Sequence, residues 1–301
     1  MENSLSGKTY LVTGATSGIG LAAAEILAEQ GASVIGVGRS AGRCQEAESH
    51  LRRVAAAAAA PAAPQTYLVA DLSTQAQVRA LADQARDLLA SRGQSALDGL
   101  VNNAGTFTYW LTLTPDGFEM QWAVNHLAPF LLTNALLPLL QNAPAGRVVT
   151  VSSGSHYGTR LDWADPQLRR HYNGLRAYGS TKLANVLFTL ELNRRLGPGS
   201  RVHAFAADPG LVKTDIGLKG TPALVRWVWK QRRAGGISAA ESARGIVFLL
   251  TEPSIQDSSE IYWKHGHPKT ASRFGLDLTA AARLWELSES MCGLPAEVQH
   301  A

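Results

Sequence analysis

The chain has 301 residues, with 28 Lys+Arg against 24 Asp+Glu for a formal net charge of +4, and is 46% hydrophobic and only 17% charged. A chain this apolar excludes intrinsic disorder, and its two cysteines, Cys44 and Cys292, exclude a disulfide scaffold and fit a reducing, cytoplasmic compartment. No basic region followed by an apolar stretch opens the sequence, and the apolar segment 130–140 is broken by Thr133, Asn134 and Pro138, so neither a secretory signal nor a membrane span is expected.

Residues 9–12 read as a buried strand and 19–30 as a helix closed by Gly31. A second strand at 33–37 leads to a helix over 41–54, a third at 67–69 to a helix over 74–90, and a fourth at 99–101 to a long helix over 115–140. Strands at 147–151, 201–206 and 260–263 alternate with helices over 178–195 and 238–250, and a short amphipathic helix over 279–291, with Leu284, Trp285 and Leu287, docks at the end. Strands alternating with helices of ten or more residues imply right-handed crossovers. The expected fold is a single-domain, Rossmann-type, doubly wound parallel sheet with helices on both faces. Segment 55–64, rich in Ala and Pro, is a connector without chemistry; 211–236 is read as a lid and 266–301 as a C-terminal extension.

The run Thr13-Gly14-Ala15-Thr16-Ser17-Gly18-Ile19-Gly20 joins the first strand to the first helix. Glycines there permit a tight turn and close backbone approach to a pyrophosphate set against the helix N-terminus. Gly14, Thr16, Ser17, Gly18 and Ile19 are therefore expected at the cofactor, in the context that makes such a motif specific. Where a dinucleotide site selective for NAD places an acid at the end of the second strand, this chain has Val37-Gly38-Arg39-Ser40. A guanidinium suits a 2′-phosphate, so NADP(H) is expected, with Arg39 as its contact.

These glycines, with Asp71-Leu72 after the third strand, Asn102-Asn103-Ala104-Gly105 after the fourth, and Tyr178-Gly179-Ser180-Thr181-Lys182, resemble the short-chain dehydrogenase/reductase family over about residues 5–265. The resemblance implies that Asp71, beside Leu72, contacts the adenine. It implies too that Asn102, Ala104 and Gly105 line the cofactor and brace the sheet, and that Pro209, Gly210 and Thr214 hold the nicotinamide end. Tyr178 and Lys182 also carry an argument of their own. Hydride transfer to a carbonyl leaves an alkoxide that needs a proton, and a phenol can supply it. A lysine at i+4 lies on the same helix face, where its charge is expected to lower the tyrosine pKa, and it can also reach the nicotinamide ribose. By resemblance, Ser153 rather than Ser152 holds the substrate oxygen, and Asn125 holds a water linking Lys182 to solvent.

Ser153 and Tyr178 lie farther apart than is usual in the family, and Tyr157 and Tyr172 fall between them; these have Leu161 and Arg176, not lysine, four residues on. The extra segment 158–175, His156, the run 182–188 and the tail around Leu284-Trp285 are similar to retinol dehydrogenases. The membrane anchor common among animal members is not seen at the N-terminus. A lipophilic aldehyde or ketone and its alcohol is the expected substrate pair, retinoid-like compounds included, with Tyr109, Trp110, Trp163 and the stretch 221–229 as candidate walls. Three alternatives remain. A steroid or other secondary-alcohol dehydrogenase shares the scaffold, and so does a non-catalytic NADP(H) sensor. A light-dependent protochlorophyllide reductase would need cysteines near the site. The net charge is too diffuse for nucleic acid, although the basic, aromatic stretch 213–233 permits a peripheral membrane contact. The resemblance further implies a homodimer or homotetramer paired through the helices of Asn125 and Tyr178; no metal site is expected.

Overall fold

In the computed structural model, which describes residues 5–58, 63–212 and 236–295, the strands make one sheet. They are β1 (Thr9–Thr13), β2 (Ser33–Gly38), β3 (Gln65–Val69), β4 (Gly99–Asn102), β5 (Gly146–Val151), β6 (Val202–Asp208), β7 (Tyr262–Lys264) and β8 (His267–Pro268). They lie in the order β3-β2-β1-β4-β5-β6-β7-β8, parallel throughout except for the β7/β8 pair. Every residue of β1, β2, β4 and β5 is buried, as a parallel sheet covered on both faces requires.

Helices α1 (Gly18–Glu29), α2 (Ala41–Ala57) and α6 (Ala239–Thr251) cover one face, where Ala23, Leu27, Leu51 and Ile246 pack on Tyr10, Val12 and Val149. Helices α3 (Gln75–Ser91), α4 (Met120–Gln141), α5 (Gly174–Leu196) and α7 (Leu278–Cys292) cover the other, where Leu81, Phe130, Leu187 and Trp285 pack on Leu11, Leu100 and Val148. By length and composition α4 could cross a bilayer, but 67% of its apolar window is buried inside the fold.

The elements follow the sequence pattern, and the shifts have local causes. Helix α4 begins at Met120 rather than near 115 because Thr114 to Gly117 close a turn, with Gly117 at φ +80°, and the Glu119 carboxylate then caps the Trp122 N–H at 2.6 Å. Helix α5 begins at Gly174 rather than Tyr178 because Asn173 Oδ1 caps the Arg176 N–H at 3.0 Å. The tail docks as expected, capped by Asp277 and closed by Gly293 at φ +60°. Of the lid, only its first two residues and residue 236 are described; Thr214 and the stretch 213–235 lie outside the described residues, as do 59–62 of the connector.

Strands β1 and β4 are neighbours, yet their following helices leave to opposite faces. The crevice between those loops, at the C-terminal ends of the strands, is where doubly wound folds bind ligands.

Candidate active site

The crevice floor is built by Thr13, Asn103 and the glycine loop. Thr13 Oγ1 donates to Val101 O at 3.1 Å and accepts from the N–H groups of Asn103 and Ala104, both at 3.0 Å. Asn103 Nδ2 donates to Thr13 O at 2.9 Å and reaches Gly14 O at 3.4 Å. Gly14 and Gly18 take φ +67° and +57°, and a Cβ on Gly14 would stand 2.9 Å from Ala104 Cα. Ser17, at the N-cap of α1, makes no side-chain cap bond, so the first turn's N–H groups face the crevice without one. This is a cradle of backbone donors fit for a pyrophosphate.

The other expected cofactor contacts divide. Thr16 packs on the end of β2, since a Cβ on Gly38 would meet its Cγ2 at 2.4 Å, and Ile19 joins the core of that face. Arg39 follows Gly38 directly, is exposed, and has no acid partner among the described residues. Asp71 lies at the end of β3, its Oδ1 accepting from Ser73 N at 3.0 Å, while Leu72 packs into the core. Asn102 meets the bracing half of its expectation: its side chain turns into the fold and donates to the Thr133 and Thr150 hydroxyls at 3.0 and 3.3 Å. It braces strands, and its neighbour Asn103 orders the glycine loop.

At the end of β5 the two serines separate by role. Ser152 is buried and donates to Lys182 O at 2.7 Å, whereas Ser153 is half-buried, its Oγ accepting from Ser155 N at 3.2 Å. His156 Nε2 accepts from Ser272 N at 3.0 Å, so its proton sits on Nδ1, which donates to Ser153 O at 2.8 Å. That imidazole ties the serine's backbone to the C-terminal loop. A Cβ on Gly179 would meet Ser155 O at 3.1 Å, so the serine turn lies directly against the helix of Tyr178. Lys182 Nζ donates to Val151 O at 2.9 Å and lies 5.4 Å from the Tyr178 ring centroid. Asn125 sits in a π turn, Ala123–Leu127, within α4. Its Oδ1 accepts from Thr106 N at 2.7 Å and its Nδ2 donates to Thr106 O at 2.9 Å, pinning the loop after β4. A Cβ on Gly105 would fall 3.4 Å from Asn125 Oδ1 and 3.9 Å from Lys182 Nζ, so these three meet.

A short chain dehydrogenase family model matches residues 8–222. The chain belongs to that family. Retinol dehydrogenase 14 of Mus musculus is 36% identical over 300 residues, which cover 96% of this chain and 87% of that protein. Among solved structures, an uncharacterised protein from Mycobacterium paratuberculosis superposes with a TM-score of 0.70 at 33% identity, over 97% of this chain and 95% of the other. The angucycline C-6 ketoreductase LanV, solved with bound NADP, superposes with a TM-score of 0.68 at 27% identity, over 87% of this chain and 95% of its own.

As a short-chain dehydrogenase the protein is an oxidoreductase acting on CH–OH groups with a nicotinamide dinucleotide, and the glycine cradle fits that group. The electrostatics of its tyrosine and lysine differ from the sequence expectation. Burial pushes the Tyr178 phenol up to about 12, with the Asp208 charge adding to it, and pushes the Lys182 ammonium down to about 8. The i+4 lysine does not bring the phenol below its ordinary value: burial of both groups, which disfavours phenolate and ammonium alike, outweighs its charge, and its ammonium is bonded to Val151 O. Two residues of this dehydrogenase escaped the sequence reading. Phe107 sets its ring edge-on to Tyr178 at 6.0 Å, and Asp208 ends β6 beside the site. Trp163 packs, partly buried, against the core beneath Arg283 at 4.5 Å.

Proposed function

We propose that the protein is an NADPH-dependent reductase of lipophilic aldehydes or ketones, retinoid-like carbonyls among them. The observation that carries the cofactor choice is Arg39, exposed at the tip of β2 where an acid would bind the ribose hydroxyls of NAD. The bound NADP of LanV and the retinol named for the mouse relative support the same reading. Phe107 and the edge-to-face pair Tyr109–Trp110, with centroids 4.8 Å apart, would supply apolar surface at the mouth.

Gly14, Ser17 and Gly18 would hold the pyrophosphate, Arg39 the 2′-phosphate, Asp71 the adenine, and Pro209–Gly210 the nicotinamide end. NADPH, when bound, supplies the hydride. Tyr178 gives its proton to the substrate oxygen as the carbonyl carbon takes the hydride, and Ser153 Oγ donates a hydrogen bond to that oxygen as charge builds on it. Lys182 sets a positive charge beside the phenol and eases its loss of the proton. An intact Ser153, Tyr178 and Lys182 favours turnover over a sensing role.

Initial rates with NADPH and with NADH, over a panel of apolar aldehydes and ketones that includes retinal, test the reading. Turnover faster with NADPH, and reduced about 10²- to 10⁴-fold in Tyr178→Phe with NADPH binding retained, is expected. Preference for NADH, or turnover undiminished in the variant, would refute it.

A further inference from the structure

Asp208 belongs to no motif read from the sequence, yet it stands at the end of β6 within the site. The residue is 5% exposed. Oδ1 accepts from Gly210 N at 3.0 Å, closing the turn that carries Pro209–Gly210, and Oδ2 accepts from Tyr262 OH at 2.8 Å. Both oxygens act as acceptors, the pattern of an ionised carboxylate. Among the described residues no basic side chain forms an ion pair with it. The same Oδ2 would lie 3.6 Å from a Cβ on Gly154, the residue after Ser153.

Among the described residues, the groups around this carboxylate are few. Tyr262 bonds it from β7, with the His156 ring packed on that tyrosine at 4.7 Å. The serine turn links it to α5: Gly154 of that turn lies against Oδ2, while Ser155 O lies 3.1 Å from where a Cβ on Gly179, next to Tyr178, would stand. Burial pushes the His156 imidazole down. Lys264 is the register neighbour of Asp208 on β7, Lys269 lies over the Tyr157 ring at 4.6 Å, and the His265 ring packs where a Cβ on Gly210 would fall. Lys182, 5.4 Å from the Tyr178 ring centroid, opposes the carboxylate at the phenol. A nearby anion disfavours a phenolate, and the raised proton affinity of Tyr178 agrees in sign.

We propose that Asp208 is a positioning residue for carbonyl reduction: it fixes the Pro209–Gly210 turn through Gly210 N and, by its charge, keeps Tyr178 in its proton-donating form. The inference rests on the reductase reading above. In reduction the carbonyl carbon gains a hydride from the cofactor and its oxygen gains the Tyr178 proton, giving alcohol and oxidised cofactor. In oxidation the alcohol proton must pass to a Tyr178 phenolate. A carboxylate that opposes the phenolate therefore biases the site toward giving a proton rather than taking one.

The test is Asp208→Asn, which keeps an acceptor for Gly210 N and removes the charge, beside Tyr262→Phe, which keeps the charge and removes a hydrogen bond. The ascending limb of alcohol oxidation against pH should move to lower pH in Asp208→Asn, making oxidation about tenfold faster at a fixed pH below the limb. Tyr262→Phe should show no such gain. An unmoved limb in Asp208→Asn, or an equal gain in Tyr262→Phe, would overturn the proposal, since loss of packing alone slows a reaction without moving its limb. Ultraviolet difference titration of Asp208→Asn against Asp208→Asn/Tyr178→Phe, compared with the same pair carrying Asp208, reads the phenol without turnover. Absence of turnover in every form would thus refute the reductase reading and still leave the Asp208 proposal decided.

Discussion

At the scale of single residues, the two charges that matter most are one that is free and one that is forbidden. Arg39 is exposed with no acid partner among the described residues, so its guanidinium is available to a phosphate. Charge-assisted hydrogen bonds of this kind contribute about 1.5–3 kcal/mol. Arg39→Ala should therefore raise the KM for NADPH roughly ten- to a hundredfold while leaving that for NADH in place. Equal KM values for NADPH in both proteins would return Arg39 to the status of a solvated loop residue. His126 is the forbidden charge. It is fully buried, its Nε2 bonded to Ser288 Oγ at 2.8 Å, and burial pushes its pKa down to about 4. Between the ordinary imidazole value of about 6.5 and that folded value, the unfolded chain binds a proton that the folded chain refuses. Stability is thus whole above about pH 6.5 and drains away as pH falls toward 4, by about 3 kcal/mol from this residue. Thermal melts across that window should show the decline, and His126→Gln should flatten it; a slope unchanged by the substitution would place the loss elsewhere. His156 and His203 are pushed the same way by burial, so some slope will remain.

At the scale of elements, the long segment between Ser153 and Tyr178 is an organised part of the fold. Tyr172 OH donates to the buried Glu119 Oε1 at 2.8 Å, accepts from Gln121 Nε2 at 2.8 Å and lies 2.9 Å from Thr108 Oγ1. The insertion is thereby latched to α4 and to the loop after β4, which carries Phe107. Tyr172→Phe strands a buried carboxylate oxygen at a cost of about 1–3 kcal/mol. A melting temperature lowered by several degrees, with KM for the carbonyl raised and KM for NADPH unchanged, is expected. An unaltered carbonyl KM would mean that the latch stabilises without shaping the site. This element marks the limit of what was legible in the sequence. The strands and their crossovers were readable because Thr9 to Val12, Ser33 to Val37 and Arg147 to Val151 are apolar runs bounded by turn residues, and the order of helices forces a parallel sheet. The places of the glycine loop, the Ser152–Ser153 pair, Tyr178 and Lys182 were readable because each sits at a strand end or on a helix whose position the alternation dictates, whereas the choice of Ser153 came from the family resemblance. Tyr172 was seen only as a rival to Tyr178, since its partners come from residues some fifty positions away. Asn102 and Asn103 could not be told apart, because which side chain faces the loop depends on strand register. The sign of the Tyr178 shift was missed for a similar reason: spacing shows a lysine at i+4, but not that Val151 O takes its ammonium or that burial outweighs its charge.

For the whole molecule, α7 bears on the expected pairing through α4 and α5. Pairing through α4 and α5 requires their outer faces to be free, and α7 lies on them. Trp285 meets Phe130 edge-on at 4.9 Å and stacks on Phe188 at 5.9 Å, while Arg195 covers its ring at 4.5 Å. Ser288 bonds His126 in the π turn beside Asn125, and Gln75 Nε2 of α3 reaches Met291 O at 2.8 Å. The chain thus covers part of the α4 and α5 surface with its own C-terminal helix, and a second copy using that part would have to displace contacts already made within one molecule. Local concentration favours the tethered helix over a separate chain. Light scattering of the full chain should give the mass of a monomer. Trp285→Ala, which empties the centre of that contact at a cost of about 3–5 kcal/mol, should loosen α7 and give concentration-dependent self-association or a lowered melting temperature. A dimer mass for the full chain would require either an interface away from α4 and α5 or an exchange of α7 between copies. The Trp285→Ala protein separates these: it leaves the first dimer intact and weakens the second.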